Sequence, residues 1–364
     1  MLDTAGALNS SAGNTTSTAS FSISPIVSTS LLVVIALIWI TAFITNLFLC
    51  IVFTKNVHLR TNFNLYLFNM TIADLLFVLL SMTNFMLYIF LAYSPLGYHG
   101  CTSWLYFDWI LSSATENTMM LISLDRVYSI YWPIRYRNLQ STNYSKVAVA
   151  CMWIWINILI LPPLVLSRTD GTVSGGICGI DYERVKSREM IAASVVLAFW
   201  LPEAVTVLSY TIIAFKARNI FHLPHENTNA PDVSQNNVLL HDLDRDGSLR
   251  LPMVAADEEV SQGKGGLSRV KSSANRQQKE RRMFQLSLYL AIAVFLCCGP
   301  VDFYYLFAAV KPEWATFPFY LIANLFNFFH CILNPVLYAR SVDIRQALRN
   351  LFPQRRPDPT KSSL

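Results

Sequence analysis

STSLLVVIALIWITAFITNLFLCIVFT, residues 28–54, contains no charged side chain. A bilayer core about 30 Å thick needs about 20 consecutive apolar residues in a helix. This run exceeds that length and is interrupted only by Ser, Thr and Asn. It starts too deep and is too long for a cleavable leader, and no basic region precedes it, so it reads as a retained membrane span.

Six more such runs lie near 63–92, 103–125, 147–166, 190–215, 284–310 and 317–339. The composition of the 364-residue chain agrees: 53% hydrophobic and 14% charged leaves too little polar surface to cover a water-soluble globule. The expected fold class is an all-α integral membrane protein, a seven-transmembrane helix bundle. Residues 1–27, rich in Ser, Thr, Ala and Asn, read as a disordered extracellular N-terminus. Residues 28–339 form the membrane domain, with a flexible cytosolic loop at about 217–278. Residues 340–364 form a short amphipathic helix and cytosolic tail.

Lys and Arg set the orientation. Residues 1–30 contain neither, whereas the connectors after spans one, three and five carry Lys55, Arg60, Arg135, Arg137, Lys146, Lys216 and Arg218. Arg276, Lys279, Arg281 and Arg282 precede span six, and Arg340, Arg345 and Arg349 come after span seven. The positive-inside rule puts the N-terminus outside and the C-terminus in the cytosol, although Arg168, Arg184, Lys186 and Arg188 break the pattern in one outer loop. Asn9-Ser-Ser and Asn14-Thr-Thr then fit glycan acceptors on the exterior tail. Of seven cysteines, Cys101 and Cys178 share the oxidising side and suit a disulfide, while the other five fall within spans.

An ionisable residue inside a span is costly unless it is paired or faces a polar interior, so each is a functional candidate. In span three Asp108, Ser112, Thr115 and Glu116 recur at steps of three and four and share one face. Span two offers Asn69 and Asp74, span six Asp302, and span seven Asn324, Asn327, His330, Asn334 and Tyr338. The plainer role for each Ser, Thr or Asn is an interhelical hydrogen bond. Pro162, Pro163, Pro202, Pro300 and Pro335 each remove a backbone donor within a span, leaving a kink and a carbonyl that needs another partner.

No nucleophile–base pair, metal-spaced cluster or phosphate loop is visible; the lone Gly263-Lys264-Gly265-Gly266 lies in the long loop, so an enzyme is not expected. A pore is disfavoured because no charged ring appears, and a transporter because no inverted repeat does. The transporter remains the rival from another class, with the intramembrane acids as a proton or cation path.

One anchor in every span resembles the rhodopsin-like (class A) G-protein-coupled receptors. The anchors are Asn46; Ala73-Asp74-Leu75; Cys101 and Asp125-Arg126-Val127; Trp153; Pro202 and Tyr210; Pro300; and Asn334-Pro335-Val336-Leu337-Tyr338. Cys101 followed by Asp108, then Ile122-Ser-Leu-Asp-Arg126 and Pro133-Ile-Arg-Tyr136, looks most like the aminergic branch, of muscarinic and histamine type. That resemblance implies a small cationic extracellular ligand, with the matching Asp108 pairing to its ammonium and aromatic rings adding cation–π attraction. The ligand-binding set implied is Asp108, Trp109, Ser112, Ser194, Asp302, Tyr305, Asn324 and Phe328.

The chain departs from that branch in span six. Cys297-Cys298-Gly299-Pro300-Val301-Asp302 stands where Cys-Trp-x-Pro-Phe-Phe is usual, so Cys298 replaces the toggle tryptophan. Asp302 is expected on the pocket face opposite Asp108, which would suit a dibasic ligand. Phe328 stands at the retinal-lysine position of opsins, which argues against a photopigment. The same fold binding a peptide, a lipid or no ligand is the alternative.

At the cytosolic end the resemblance assigns signalling roles to Asp125, Arg126, Pro133, Tyr210, Glu280, Asn334, Pro335 and Tyr338. Arg126 pairs with Asp125 and, across to span six, with Glu280; Pro133 meets a heterotrimeric G protein. Arrestin and membrane lipid complete the implied partners, and nucleic acid is not expected. No cofactor is expected beyond an allosteric sodium ion at Asp74, Thr115 and Asn334, with His330 where Asn or Ser is usual. High basal activity at the plasma membrane is expected from Cys298.

Overall fold

The computed structural model describes residues 25–91, 97–138, 142–166, 178, 185–221, 265–314 and 316–351. Among the described residues, six helices are long and apolar enough to cross a membrane: Pro25–Lys55, Asn62–Leu91, Asn143–Leu166, Arg188–Lys216, Arg281–Val310 and Phe317–Tyr338. They are spans one, two, four, five, six and seven. Span three, Gly97–Tyr131, is 35 residues long but more polar than the rest. Its position explains this: it packs against spans two, four, five and six, so its polar side chains point into the protein. Asp108, Ser112, Ser113, Thr115, Glu116, Asn117 and Thr118 are all buried. Leu37, Ile44, Ile158, Leu208 and Leu296 instead form an exposed apolar girdle that suits hydrocarbon. No strand occurs among the described residues.

Three of the intramembrane prolines are accommodated by side chains from other helices. Pro335 has no N–H for the carbonyl of Cys331 one turn back, and Asn46 Nδ2 donates to that oxygen at 2.8 Å. Pro202 leaves the Ala198 carbonyl without its usual α-helical donor, and Asn117 Nδ2 reaches it at 2.8 Å. Pro163 does the same to Leu159, whose carbonyl accepts from the Ser194 hydroxyl at 2.7 Å. Proline therefore breaks three helices at points where a neighbour supplies the missing donor. Each such bond also joins two spans.

Two spans contain a π-helical turn that the pattern of apolar residues does not reveal. In span five it covers Val196–Trp200, immediately before Pro202. In span two it covers Val78–Met82, where Trp39 Nε1 donates to the Val78 carbonyl at 2.9 Å. The extra residue in such a turn rotates the remainder of the helix and re-aims Ser81 toward span three.

Span six reaches further than expected. Its helix runs Gly265–Val310, so 265–278 is helical rather than part of the loop. Ala274, Arg276, Gln277, Gln278, Lys279 and Glu280 are good helix formers, and an established helix propagates through them at little cost. A short helix, Pro133–Asn138, succeeds span three. The tail helix Val342–Leu351 buries Ile344 and Ala347 and exposes Arg345 and Arg349. Cys101 and Cys178 are disulfide-bonded, tying the segment before span five to the start of span three. Asn9 and Asn14 lie outside the described residues.

Candidate ligand and signalling sites

Span three carries three polar centres in succession. The first is Asp108, only 6% exposed. Ser81 donates to its Oδ1, and the Tyr305 hydroxyl donates to Oδ2 at 2.9 Å, so the carboxylate joins spans two, three and six. Trp109 packs on Tyr305 with ring centroids 4.8 Å apart and meets Phe199 edge-on at 6.1 Å. Phe328 belongs to the same core cluster as Trp109 and Tyr305 and stands edge-on to Phe85 at 5.1 Å. Ser112 accepts weakly from Asn327 Nδ2 at 3.5 Å. Asp108, Trp109, Ser112, Tyr305 and Phe328 are thus brought into one aromatic-walled region.

Three expected members differ. Ser194 directs its hydroxyl to the Leu159 and Met190 carbonyls, answering a proline kink. Asn324 donates to Tyr320 O of its own helix at 2.8 Å. Asp302 is not opposite Asp108; it converges with Glu116 and Glu203, their carboxylate atoms lying within 4.8 Å of one another. Tyr305 sits one turn along span six from Asp302 and takes the place beside Asp108. Asp302 is left about 4.5 Å deeper along the helix axis, where Glu116 faces it.

The second centre is Asp74, fully buried. Asn334 Nδ2 donates to Oδ2 at 2.9 Å and Thr115 to Oδ1 at 3.2 Å. His330 Nε2 stands 3.4 Å from Oδ1, while its Nδ1 donates to the Asn327 carbonyl. Both carboxylate oxygens therefore accept a donor from another span, and with Nδ1 donating to a carbonyl the neutral imidazole turns its Nε2 lone pair toward Oδ1. A sodium ion, which requires several oxygen acceptors, would have Asp74, Thr115 and the unpartnered Asn334 Oδ1 to draw on, with the His330 ring where a further oxygen would otherwise stand. Cys331 Sγ lies 3.3 Å from His330 Nε2 and adds no oxygen.

The third centre is the Asp125–Arg126 pair, both 4% exposed. Arg126 Nη2 bonds Asp125 Oδ2 and donates to the Tyr136 hydroxyl at 3.2 Å; Tyr136 donates onward to Asp125 Oδ2 at 3.1 Å. The guanidinium also lies over the Phe63 ring, 5.2 Å from its centroid. Burial pushes the Tyr136 phenol up to about 12, so it remains a protonated donor at neutral pH. Tyr210 is buried against Phe284, and Tyr338 is fully buried near the second centre. Pro133 starts the short helix that presents Tyr136. The side chain of Glu280 lies outside the described residues.

Ser81 and Tyr136 are functional-site residues that sequence reasoning missed. Ser81 lies in the π turn of span two, whose extra residue sets its direction and was not announced by the spacing of the sequence. Tyr136 belongs to the Pro133-Ile-Arg-Tyr136 stretch of the resemblance, but its contact with Asp125 depends on how the chain turns at Trp132 and Pro133.

Residues 45–338 match the family described as 7 transmembrane receptor (rhodopsin family). Among curated proteins, the muscarinic acetylcholine receptor M4 of Xenopus laevis is 25% identical over 249 residues, covering 65% of this chain and 50% of the relative. The muscarinic acetylcholine receptor gar-3 of Caenorhabditis elegans is 28% identical over 177 residues, 48% of this chain and 29% of the relative. The muscarinic acetylcholine receptor DM1 of Drosophila melanogaster is 31% identical over 170 residues, 45% of this chain and 21% of the relative. The chain spans half or less of the length of these relatives. With a match running from span one to the end of span seven, the chain belongs to the rhodopsin family of seven-transmembrane receptors.

Proposed function

We propose that this receptor sits in the plasma membrane with its N-terminus outside and transmits the binding of a small cationic, amine-like ligand to a heterotrimeric G protein. The observation that carries the reading is Asp108: a buried carboxylate held by Ser81 and Tyr305, with Trp109 and Phe199 packed on Tyr305. The muscarinic names of the relatives point the same way. In a partly dry site an ammonium gains a charge-assisted bond to such a carboxylate and cation–π attraction from the rings.

The Tyr305 bond gives the ligand a mechanical handle. An ammonium at Asp108 competes with the Tyr305 hydroxyl for Oδ2, and releasing that bond frees span six from span three. A ligand biases a two-state equilibrium only through its differential affinity for the states; here the difference is the Asp108–Tyr305 bond. At the other end, Arg126 is held by Asp125 and Tyr136 and, in the active state, turns to the G protein.

The test is an amine, diamine and polyamine panel in a cell assay that resolves the transducers, run on wild type and Asp108→Ala. An amine response in wild type that falls by at least about a hundredfold in potency in Asp108→Ala is expected from loss of a buried charge pair; equal responses sink the reading. Because Asp302 is not beside Asp108, monoamines are expected to match diamines. The second reading, a receptor of this fold for a non-amine ligand, draws on the same site: both oxygens of Asp108 already accept protein hydroxyls.

A further inference from the structure

Glu116, Glu203 and Asp302 come from spans three, five and six and are 1%, 8% and 0% exposed. Neither oxygen of Glu116 or Asp302 has a hydrogen-bond partner, nor does Oε1 of Glu203. The charged groups acting on Glu116 are the other two acids. Three carboxyls in one buried place, with nothing donating to them among the described residues, must each either keep a proton or meet a cationic partner, since an unpaired charge in low dielectric is costly.

A cavity of about 410 Å³ begins at this cluster. Glu116 and Glu203 line it, as does Thr206, whose hydroxyl is unpartnered on a residue only 7% exposed. The rest of the wall is almost wholly apolar, including Leu288, Ala291 and Phe295. At its rim Val207 and Leu296 are 54% and 60% exposed on the girdle, so the cavity opens between spans five and six toward the hydrocarbon rather than along the bundle axis. A hydrated metal ion has no route through such a mouth. A molecule with an apolar chain does, because it partitions into the bilayer first.

We propose that the cleft between spans five and six binds a membrane-partitioned amphipathic amine, its ammonium against Glu116 and Glu203 with Asp302 behind, and its chain along the apolar wall. Charge complementarity selects the head and the lining selects the tail. The site is separate from Asp108, which lies eight residues, about 12 Å, away along span three. It stands whether or not Asp108 takes a ligand.

The test uses the full chain purified in lipid nanodiscs and reads its thermal unfolding midpoint against decylamine, decanol and decanoate. Decylamine is expected to raise the midpoint in a saturable way, with the alcohol and the acid giving no rise. The half-saturating concentration is expected to increase at least about tenfold in Glu116→Gln/Glu203→Gln, through loss of the charge-assisted contacts. Ala291→Phe fills the cavity without touching the acids and is expected to have the same effect, which keeps the test decisive if the double variant folds poorly. Asp108→Asn is expected to retain the rise. Equal protection by decanol, protection that survives both variants, or protection lost only in Asp108→Asn overturns the site. So does protection by calcium, magnesium or mild acid alone that the Gln variant abolishes, for the cluster then holds a metal ion or protons instead.

Discussion

Tyr136 illustrates how much rests on single hydroxyls in this protein. It donates to Asp125 and accepts from Arg126, closing a three-membered ring at the end of span three. Tyr136→Phe keeps the ring packing on Tyr128 and removes only the hydroxyl. At about 1 kcal/mol for such a bond, the ratio of active to inactive receptor is expected to rise about fivefold, measured as basal nucleotide exchange on the G protein. A basal rate equal to wild type would remove Tyr136 from the latch. His330 supplies a second residue-scale prediction. With its imidazole 3.4 Å from Asp74, agonist affinity is expected not to change when sodium is replaced by potassium. His330→Asn substitutes an amide oxygen for the ring nitrogen and is expected to introduce sodium sensitivity, read in the same competition assay.

Among the elements, the spans were legible as apolar runs, and the prolines were legible as breaks with orphaned carbonyls. The sequence did not say which side chain would answer each break. Asn46, Asn117 and Ser194 do so from other helices, and that pairing depends on how the helices rotate against one another. Asn46→Ala is expected to lower stability by about 1–2 kcal/mol by stranding the Cys331 carbonyl. In Asn46→Ala/Pro335→Ala the backbone N–H returns, so the double variant is expected to lose less than the sum of the single losses, as a denaturation cycle will report. Additive losses would mean that Asn46 acts independently of the kink. The π turns at Val78–Met82 and Val196–Trp200 belong here too: one extra residue per turn changes which side chains face inward, and no feature of the apolar pattern announced either.

At the scale of the whole molecule, spans two, three and six meet at Asp108, and spans two, three and seven meet at Asp74. Span three runs through both centres and carries Arg126 near its cytosolic end, so in the proposed mechanism a displacement of span six at Tyr305 would reach the helix that holds the Asp125–Arg126 pair. Span six continues as helix back to Gly265, a lever longer than its membrane-crossing part. Glu280 lies on that lever, and the proposed Arg126–Glu280 clamp, at about 1 kcal/mol for one ion pair, implies that Glu280→Ala raises basal signalling several-fold. A basal level matching wild type argues against an Arg126–Glu280 clamp. The seven spans, the Cys101–Cys178 bridge and the Asp125–Arg126 and Asn334–Tyr338 motifs were determined by the sequence, because length, compartment and helical periodicity are properties of single segments. Which acids meet was decided only by tertiary structure. Periodicity fixes the face and depth of a residue on its own helix, but the rotation and stagger between helices come from packing, and that is why Asp302 lies with Glu116 and Glu203 while Tyr305 takes the place beside Asp108.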